Sequence, residues 1–341
     1  MTADPVATES NRVAVIGAGS WGTALAIVAA RNQHQVKLWA REPEVANQIN
    51  RARRNPFYLS EFELPANIQA TTSVEDAIEG AHFALLVVPS HAMREIVGSL
   101  RPRLRSEIVL VSAAKGVENS TLMRMEEVVA DVFRESFTPQ YVALSGPSFA
   151  IEVAKGDPTA IVAASSSRES SELIQRSLSS SLFRIYTNTD VVGVELGGAV
   201  KNVVAIAAGV VRGLGFGTNA VAAIITRGLA EVTRLALAQG ARVETLAGLA
   251  GLGDLVLTCT GELSRNRYVG VEMGRGRKLA DILGEMRQVA EGVKSTKSIY
   301  QLGRRLGIEM PITASMYALL YEDKPALDAA NELMGRPLKR E

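Results

Sequence analysis

Lys201 has surroundings that favour proton-transfer chemistry. It enters an Ala/Val/Ile-rich stretch with almost no other charge nearby, in the segment ELGGAVKN (195–202). Burial on an apolar helix face destabilises a charged amine and lowers its pKa, so we expect Lys201 to act as a general acid or base. The alternative is a structural lysine whose head group reaches solvent past an apolar stem.

Lys115 is a second candidate for catalysis. It follows the predicted strand 108–112, in the segment KGVE (115–118). Lysine is scarce in this chain, since only nine of the 37 Lys and Arg residues are lysine. A lysine at a strand end, where open α/β sheets bind ligands, favours a role in a site. The alternative is a structural salt bridge or a loop cap.

A third group of residues could bind an anion. Ser264 is a candidate cap for a helix that begins near Arg265, and Asn266 adds an amide donor. A capping hydroxyl, free N–H groups and a guanidinium together favour a phosphate. Asp254, after a glycine-rich turn, could hydrogen-bond Lys201 or a substrate hydroxyl. On spacing alone, an ordinary turn between helices with a surface arginine is an equally good interpretation.

The N-terminal region contains a glycine pattern typical of dinucleotide sites. Gly17, Gly19 and Gly22 lie between the predicted strand 12–16 and the predicted helix 23–31. Such glycines allow a tight turn, close approach of a pyrophosphate and close packing of helix on strand. The pattern alone is weak, but this strand–turn–helix context favours dinucleotide binding over a turn chosen only for packing.

The end of the second predicted strand bears on the choice of cofactor. An acidic residue that would bind the ribose is expected there for NAD, whereas an arginine suits the 2′-phosphate of NADP. The chain has Arg41 followed by Glu42 at this point. NADP is therefore slightly favoured, and Glu42 keeps NAD open.

The elements that must position these residues divide the chain near residue 190. Six short β-branched runs predict buried strands at 12–16, 36–39, 83–88, 108–112, 142–145 and 160–164. Helical stretches between them predict a mostly parallel sheet. The serine-rich stretch 165–181 is predicted to be a helix, and Pro147 is predicted to lie in the first turn of another.

After Asp190 the strand pattern ends. Apolar stretches with helical spacing predict helices at 203–211, 220–238, 279–286, 294–306, 312–321 and 326–333. We therefore predict an N-terminal tail (1–11), a dinucleotide-binding domain (12–190) and a helical substrate-binding and catalytic domain (191–341). The fold class is α/β, with a Rossmann-like doubly wound, mostly parallel sheet followed by an all-α domain.

Composition excludes several classes of function. Lys+Arg total 37 against Asp+Glu 36, a net charge of +1 that gives no electrostatic footprint for nucleic acid. One cysteine and three histidines do not favour a metal centre, so we expect no metal. Residues 1–11 lack the apolar run of a signal peptide, and no spanning segment is evident. We expect a cytoplasmic protein without membrane insertion.

Together these motifs resemble the bacterial-type NAD(P)-dependent glycerol-3-phosphate dehydrogenases. The resemblance runs in the family's order from about Arg12 to about Leu333, through GAGSWGTALA (17–26), KGVE (115–118), SGPSFA (145–150), ELGGAVKN (195–202), GLGDLVLTC (251–259), SRNR (264–267) and AEGVKST (290–296). It implies reversible hydride transfer between a nicotinamide cofactor and dihydroxyacetone phosphate. The product would be sn-glycerol 3-phosphate for phospholipid synthesis.

The resemblance also implies roles for individual residues. Lys201 matches the family's proton-transfer lysine, and Lys115 lies at both substrate and cofactor. The substrate set is completed by Gly146, Ser148, Asp254, Ser264, Arg265 and Asn266. The cofactor set comprises Gly17, Gly19, Ser20, Trp21, Gly22, Arg41, Tyr58, Lys115, Ala150, Arg265, Val289 and Glu291. The family often has Tyr-Leu-Pro-Gly where this chain has Tyr-Leu-Ser-Glu (58–61).

Two other functions are compatible with the pattern. One is a reductase of the same architecture, of the β-hydroxyacid or 6-phosphogluconate type. The other is a dinucleotide-binding redox sensor without activity, although a sensor has no use for a lysine in an apolar helix beside a phosphate pocket. The apolar helical half makes a homodimer reasonable.

Overall fold

The computed structural model describes residues 11–286 and 290–337, which form two compact units. The described part of the first unit comprises residues 11–114, 125–144 and 148–191. The second unit takes residues 115–124, residues 145–147 and the described residues from 192 onward. Short stretches near Lys115 and Gly146 therefore belong with the C-terminal half.

The first unit is built on an eight-stranded sheet in the order β3-β2-β1-β4-β5-β6-β7-β8. The strands are β1 (Arg12–Ile16), β2 (Gln35–Trp39), β3 (Ile68–Thr71), β4 (Phe83–Leu86), β5 (Val109–Ser112), β6 (Gln140–Ser145), β7 (Thr159–Ala164) and β8 (Phe183–Asn188). β1 pairs in parallel with both β2 and β4. The strand order reverses between β1 and β4, and ligands of open α/β sheets bind at such a switch point.

The helices of the first unit connect these strands. They are α1 (Ser20–Arg31), α2 (Pro43–Ala52), α3 (Val74–Ile78), α4 (Met93–Leu100), α5 (Met125–Phe133), α6 (Ala150–Lys155) and α7 (Arg168–Leu178). The nine residues of α1 from Gly22 to Ala30 are all buried, so this helix is part of the core on which the glycine-rich turn rests. The predicted fold class is confirmed for this region.

The six predicted strands are confirmed to within two residues at each end, but β3 and β8 were not predicted. Buried and exposed residues alternate along both, and both lie at an edge of the sheet. Edge strands lack the continuous apolar run of a central parallel strand, which explains the omission. The prediction for Pro147 was wrong. The chain turns at Gly146, whose φ is +146°, and the helix begins only at Ala150.

The second unit is helical. Its elements are α8 (Val191–Gly213), α9 (Thr218–Ala238), α10 (Val243–Ala247), a π-helical turn (Leu249–Gly253), α11 (Asp254–Thr260), α12 (Arg265–Gly274), α13 (Leu279–Glu285), α14 (Glu291–Arg305), α15 (Pro311–Tyr321) and α16 (Ala326–Met334). All six predicted helices of this half are confirmed. The stretch 203–211 is only the C-terminal half of α8, which continues back through two adjacent glycines to Val191.

α8 is the central helix of the second unit. Its length and mean hydropathy of 1.6 match those of a membrane-spanning helix, but 94% of the apolar window is buried within the protein. Burial on all sides accounts for its apolar composition without a membrane.

α8 and α12 meet backbone to backbone. A Cβ on Gly209 would collide with the carbonyl oxygen of Arg267, and one on Gly270 would collide with that of Ile206. Gly213 and Gly274 repeat this contact one turn further along both helices. The matched order of the contacts shows that the two helices run in parallel. The N-terminus of α12 is thereby fixed at the level of the α8 turn that contains Lys201.

Candidate active site

Lys201 is buried in the middle of α8. Only 6% of the residue is exposed, so its head group does not reach solvent. Its Nζ donates to Asp254 Oδ1 and, at 2.9 Å, to Thr258 Oγ1. The predicted contact between Lys201 and Asp254 is present.

Asp254 holds both candidate lysines. It is the first residue of α11, is 1% exposed, and follows a π-helical turn of a kind often found at functional sites. Its second oxygen, Oδ2, accepts from Lys115 Nζ at 2.7 Å. Lys115 Nζ also donates to the carbonyl oxygen of Gly146 at 3.4 Å. One buried carboxylate therefore orients two ammonium groups.

Burial lowers the pKa of Lys201 to about 7, although Asp254 opposes this shift. The positive charge of Lys115 lowers the pKa of Lys201 further. A lysine that titrates near neutral pH can release or accept a proton in the physiological range.

Thr258 belongs to this cluster and was not predicted from the sequence. It lies one turn after Asp254 on α11, and its hydroxyl donates to the Asp254 carbonyl oxygen at 2.6 Å. The Thr258 oxygen is thus oriented to accept from Lys201. The spacing of four residues from Asp254 on a helix could have indicated it.

The N-terminus of α12 is capped as predicted. The Ser264 side chain accepts from the backbone N–H of Arg267 at 3.2 Å, and Arg265 is the exposed first residue of the helix. The side-chain cap, the start of a helix and a guanidinium occur together here. This combination is suited to binding a phosphate.

Asn266 is held by two neighbours that the sequence did not reveal. Its Nδ2 donates to Asn202 Oδ1 at 2.9 Å, and its Oδ1 accepts from the Gly292 N–H at 2.9 Å. These bonds fix the orientation of the amide and connect α12 to the residue that follows Lys201.

Glu291 begins α14 within the electrostatic field of this cluster. Removal of its carboxyl from water raises its pKa, while the positive charges of Arg265, Lys115 and Lys201 oppose that rise. Val289, the other residue predicted in this segment, lies outside the described residues.

In the first unit, the glycine-rich turn fits a pyrophosphate. Gly17 has φ +121°, and a Cβ there would collide with the Val87 carbonyl oxygen beyond β4. A Cβ on Gly22 would collide with the Gly17 carbonyl oxygen, so these two glycines allow the close packing. At Gly19, by contrast, no described atom lies within 4 Å of where a Cβ would stand. Open space beside the N-terminus of α1 is what the approach of a phosphate requires.

Asn55 supports this turn and was not predicted. It is fully buried, and its amide nitrogen donates to the Ala18 carbonyl oxygen at 2.9 Å and to Thr23 Oγ1 at 3.0 Å. Its Oδ1 accepts from the backbone N–H of Tyr58 at 3.1 Å. The loop that carries Tyr58 is therefore tied to the glycine-rich turn.

Other predicted cofactor residues also lie in the first unit. Ser20 and Trp21 begin α1 and are partly buried. Arg41 lies just beyond β2, with its side chain 83% exposed, and pairs with Glu42 at 2.7 Å. This pairing raises the pKa of Arg41.

Two predicted residues lie at or just before the start of α6. Ser148 precedes the helix and Ala150 is its first residue, and both are partly buried. They belong to the first unit, whereas Gly146 belongs to the second.

Within the described ranges, no three His, Cys, Asp or Glu side chains are grouped so that they could hold a metal ion. The lysine–aspartate cluster brings three largely buried charged groups together, an arrangement suited to proton transfer and carbonyl polarisation.

Comparison with known proteins gives a consistent result along the chain. Profiles described as the N-terminus and the C-terminus of NAD-dependent glycerol-3-phosphate dehydrogenase match residues 12–171 and 190–331. A glycerol-3-phosphate dehydrogenase [NAD(P)+] of Koribacter versatilis is 56% identical, covering 96% of this chain and 98% of the relative. The corresponding protein of Geobacter sulfurreducens is 55% identical, covering 97% and 99%.

A solved structure agrees with these sequences. The crystal structure of glycerol-3-phosphate dehydrogenase from Coxiella burnetii has a TM-score of 0.92 and 39% identity, covering 96% of this chain and 99% of that chain. The resemblance inferred from the motifs is thereby confirmed, and the two alternative functions are set aside. The chain belongs to the NAD-dependent glycerol-3-phosphate dehydrogenase family and is an NAD(P)-dependent oxidoreductase.

Proposed function

We propose that this chain reversibly reduces dihydroxyacetone phosphate to sn-glycerol 3-phosphate, with Lys201 as the proton donor. This proposal rests on the buried carboxylate of Asp254, which forms ion pairs with both Lys201 and Lys115. Two neighbouring ammonium groups held by one carboxylate can stabilise a ketone oxygen that becomes negatively charged during the reaction.

The two lysines have different tasks. When bound, the reduced nicotinamide supplies the hydride that reaches the carbonyl carbon. Lys201 gives the new alkoxide its proton, for which a pKa of about 7 is well matched. Lys115, the less deeply buried of the two, polarises the same oxygen. Thr258 and Asp254 position the Lys201 amine for this transfer.

The phosphate of the substrate is assigned to the N-terminus of α12. Ser264, Arg265 and Asn266 hold it, and the remaining N–H of the Asn266 amide is oriented by the Asn202 and Gly292 contacts. Binding the phosphate away from the reacting carbon orients the carbonyl toward the lysines. Gly146 and Ser148 complete the proposed substrate contacts.

The dinucleotide is assigned to the glycine-rich turn. Gly17, Gly19 and Gly22 allow the pyrophosphate to approach α1, beside Ser20 and Trp21. Arg41 favours NADP because a guanidinium can bind the 2′-phosphate of that cofactor, whereas the adjacent Glu42 is compatible with NAD. Tyr58, Lys115, Ala150, Arg265, Val289 and Glu291 are assigned as further cofactor contacts by similarity to the family.

We expect the product to serve phospholipid synthesis, since a phosphorylated glycerol is the backbone of glycerophospholipids. A cytoplasmic location, a homodimeric state and the absence of nucleic-acid partners or membrane insertion are parts of the same proposal. Size-exclusion chromatography with light scattering would test the dimer.

The direct test is steady-state kinetics of the purified protein. NADPH and NADH oxidation are followed with dihydroxyacetone phosphate and, as a matched control, with unphosphorylated dihydroxyacetone. We expect turnover with the phosphorylated ketone, a much higher KM without the phosphate, and a modest preference for NADPH. No oxidation of either cofactor by dihydroxyacetone phosphate would refute the proposal.

A further inference from the structure

The hydroxyl of Ser145 is a buried polar group with no assigned role. The residue is 7% exposed, and its Oγ has no hydrogen-bond partner among the described residues. Ser165, also buried, shows the usual situation, because its Oγ donates to the Tyr141 carbonyl oxygen at 2.6 Å. A buried hydroxyl without a partner costs free energy in the ligand-free protein, so its presence calls for an explanation.

Ser145 lies beside the two lysines. Its Oγ is 2.9 Å from the point where a Cβ on Gly198 would stand, and Lys115 Cγ is 3.5 Å from the same point. Gly198 is three residues before Lys201 on α8, so the two positions share one face of the helix. The Ser145 hydroxyl and the Lys115 stem therefore both lie over this face of α8, about one helical turn before Lys201 in the chain.

The substrate of the proposed reaction has three polar groups. Its carbonyl oxygen is proposed to lie at the two lysines, and its phosphate at the N-terminus of α12. Its terminal hydroxyl, on the carbon at the other side of the carbonyl, is not assigned to a particular side chain, since Gly146 and Ser148 are proposed only as general substrate contacts. A hydroxyl can both donate and accept a hydrogen bond, and the Ser145 hydroxyl near Lys115 offers it a neutral partner.

We propose that Ser145 is a specificity-determining residue whose Oγ hydrogen-bonds the terminal hydroxyl of the three-carbon substrate. This inference rests on the proposed function and assigns its remaining substrate group. Lys115 Nζ is held by Asp254 and Gly146, so it does not bond the Ser145 hydroxyl. When the substrate is bound, its terminal hydroxyl is the partner that the Ser145 hydroxyl otherwise lacks.

Loss of the Ser145 hydroxyl is expected to change substrate selectivity without lowering thermal stability. Ser145→Ala removes a hydroxyl that makes no bond in the free protein, so its Tm is expected to be unchanged or raised. Ser165→Ala is the matched control, because it removes a buried serine hydroxyl that does make a bond. We expect that control to lose thermal stability and keep its kinetic constants.

The decisive experiment compares the substrate with an analogue that lacks the terminal hydroxyl. For wild type, Ser145→Ala and Ser165→Ala, kcat/KM is measured with dihydroxyacetone phosphate, and the inhibition constant is measured for hydroxyacetone phosphate, CH3–CO–CH2–OPO3. Ser145→Ala should lower kcat/KM about ten-fold, the effect of one neutral hydrogen bond, and leave the analogue's inhibition constant unchanged.

Two results would overturn the assignment. One is a Ser145→Ala enzyme with the wild-type kcat/KM, and the other is an equal weakening of substrate and analogue. If the alanine variant does not fold, Ser145→Cys keeps the side-chain size with a weaker donor and is judged by the same comparison. An inactive wild type would instead count against the proposed function, so the two failures are distinguishable.

Discussion

At the scale of single residues, the chemistry depends on how the Lys201 amine is held. The residue is buried in an apolar helix, and its ammonium group donates hydrogen bonds to Asp254 Oδ1 and Thr258 Oγ1. Lys201→Met keeps most of the side-chain volume and removes the proton donor. We expect kcat to fall about 10²-fold or more, while NADPH affinity measured by fluorescence titration stays at the wild-type value.

A lysine far from the cluster provides the control for this substitution. Lys155, whose side chain is 68% exposed, pairs with Asp157 in a surface contact. Lys155→Met should leave kcat unchanged. Near-normal turnover in Lys201→Met would exclude Lys201 as the proton donor.

The lowered pKa of Lys201 predicts opposite pH profiles for the two reaction directions. Reduction requires the ammonium form, and its fraction falls as the pH rises through about 7. Oxidation of the alcohol requires the neutral amine, so its rate should rise through the same range. Plots of kcat/KM against pH from about 5.5 to 9 in both directions test this. Parallel profiles would contradict the assignment.

Thr258 allows a finer test of the same amine. Thr258→Val keeps the shape of the side chain and removes the oxygen that accepts a hydrogen bond from the Lys201 ammonium. Because that bond stabilises the charged form, its loss should lower the pKa of Lys201 further. We expect kcat to fall about ten-fold, and the decrease of kcat/KM for reduction with rising pH to begin at lower pH. Thr258→Ser restores the oxygen and should restore the profile. A lower kcat with an unmoved profile would indicate a packing role only.

At the scale of elements, α12 presents its N-terminus and Arg265 to the proposed phosphate. Arg265→Ala should raise the KM for dihydroxyacetone phosphate about ten-fold or more, as expected for the loss of a charge-assisted hydrogen bond, with a smaller effect on the KM for NADPH. Arg275→Ala, at the other end of α12, removes a surface arginine that pairs with Glu272 and serves as the control. An unchanged KM in Arg265→Ala would move the phosphate site elsewhere.

The sequence predicted elements best where burial is uniform. Central strands such as β1 are almost entirely buried and were located to within a few residues, as were most of the predicted C-terminal helices, whereas only the C-terminal half of α8 was predicted. β3 and β8 were missed because one side of each edge strand is exposed, which leaves no apolar run. Helices as short as α10 have too few residues for a periodic pattern to appear.

At the scale of the whole molecule, the site of the second unit is assembled from segments far apart in the chain. Lys115 and Asp254 are separated by 139 positions yet share an ion pair. Motif order and residue type alone indicate Lys201, Lys115 and Asp254 as candidates. The supports at Asn202 and Gly292 could not be predicted, because their partners are defined only once the helices have packed.

The close packing of α8 on α12 predicts that one added methyl group at this contact lowers the stability of the whole protein. In Gly270→Ala the new Cβ would collide with the backbone carbonyl oxygen of Ile206, so the helices must separate. We expect a loss of stability of about 1–3 kcal/mol, measured as a lower Tm and a lower denaturant midpoint. Gly284→Ala adds the same methyl group to α13, where no described atom lies within 4 Å, and should leave the Tm unchanged or slightly raised.

The backbone contact between α8 and α12 also bears on the length of substrate that the proposed site can accept. Because main chain touches main chain between α8 and α12, the distance from the amine to the phosphate end is not adjustable by exchanging one side-chain size for another. In the proposed site, a longer sugar phosphate would require α12 to shift along α8, and one helical turn is about 5.4 Å. Such a step exceeds the length of one added carbon. We therefore expect the spacing of α8 and α12 to favour a three-carbon substrate over a longer sugar phosphate in the proposed site.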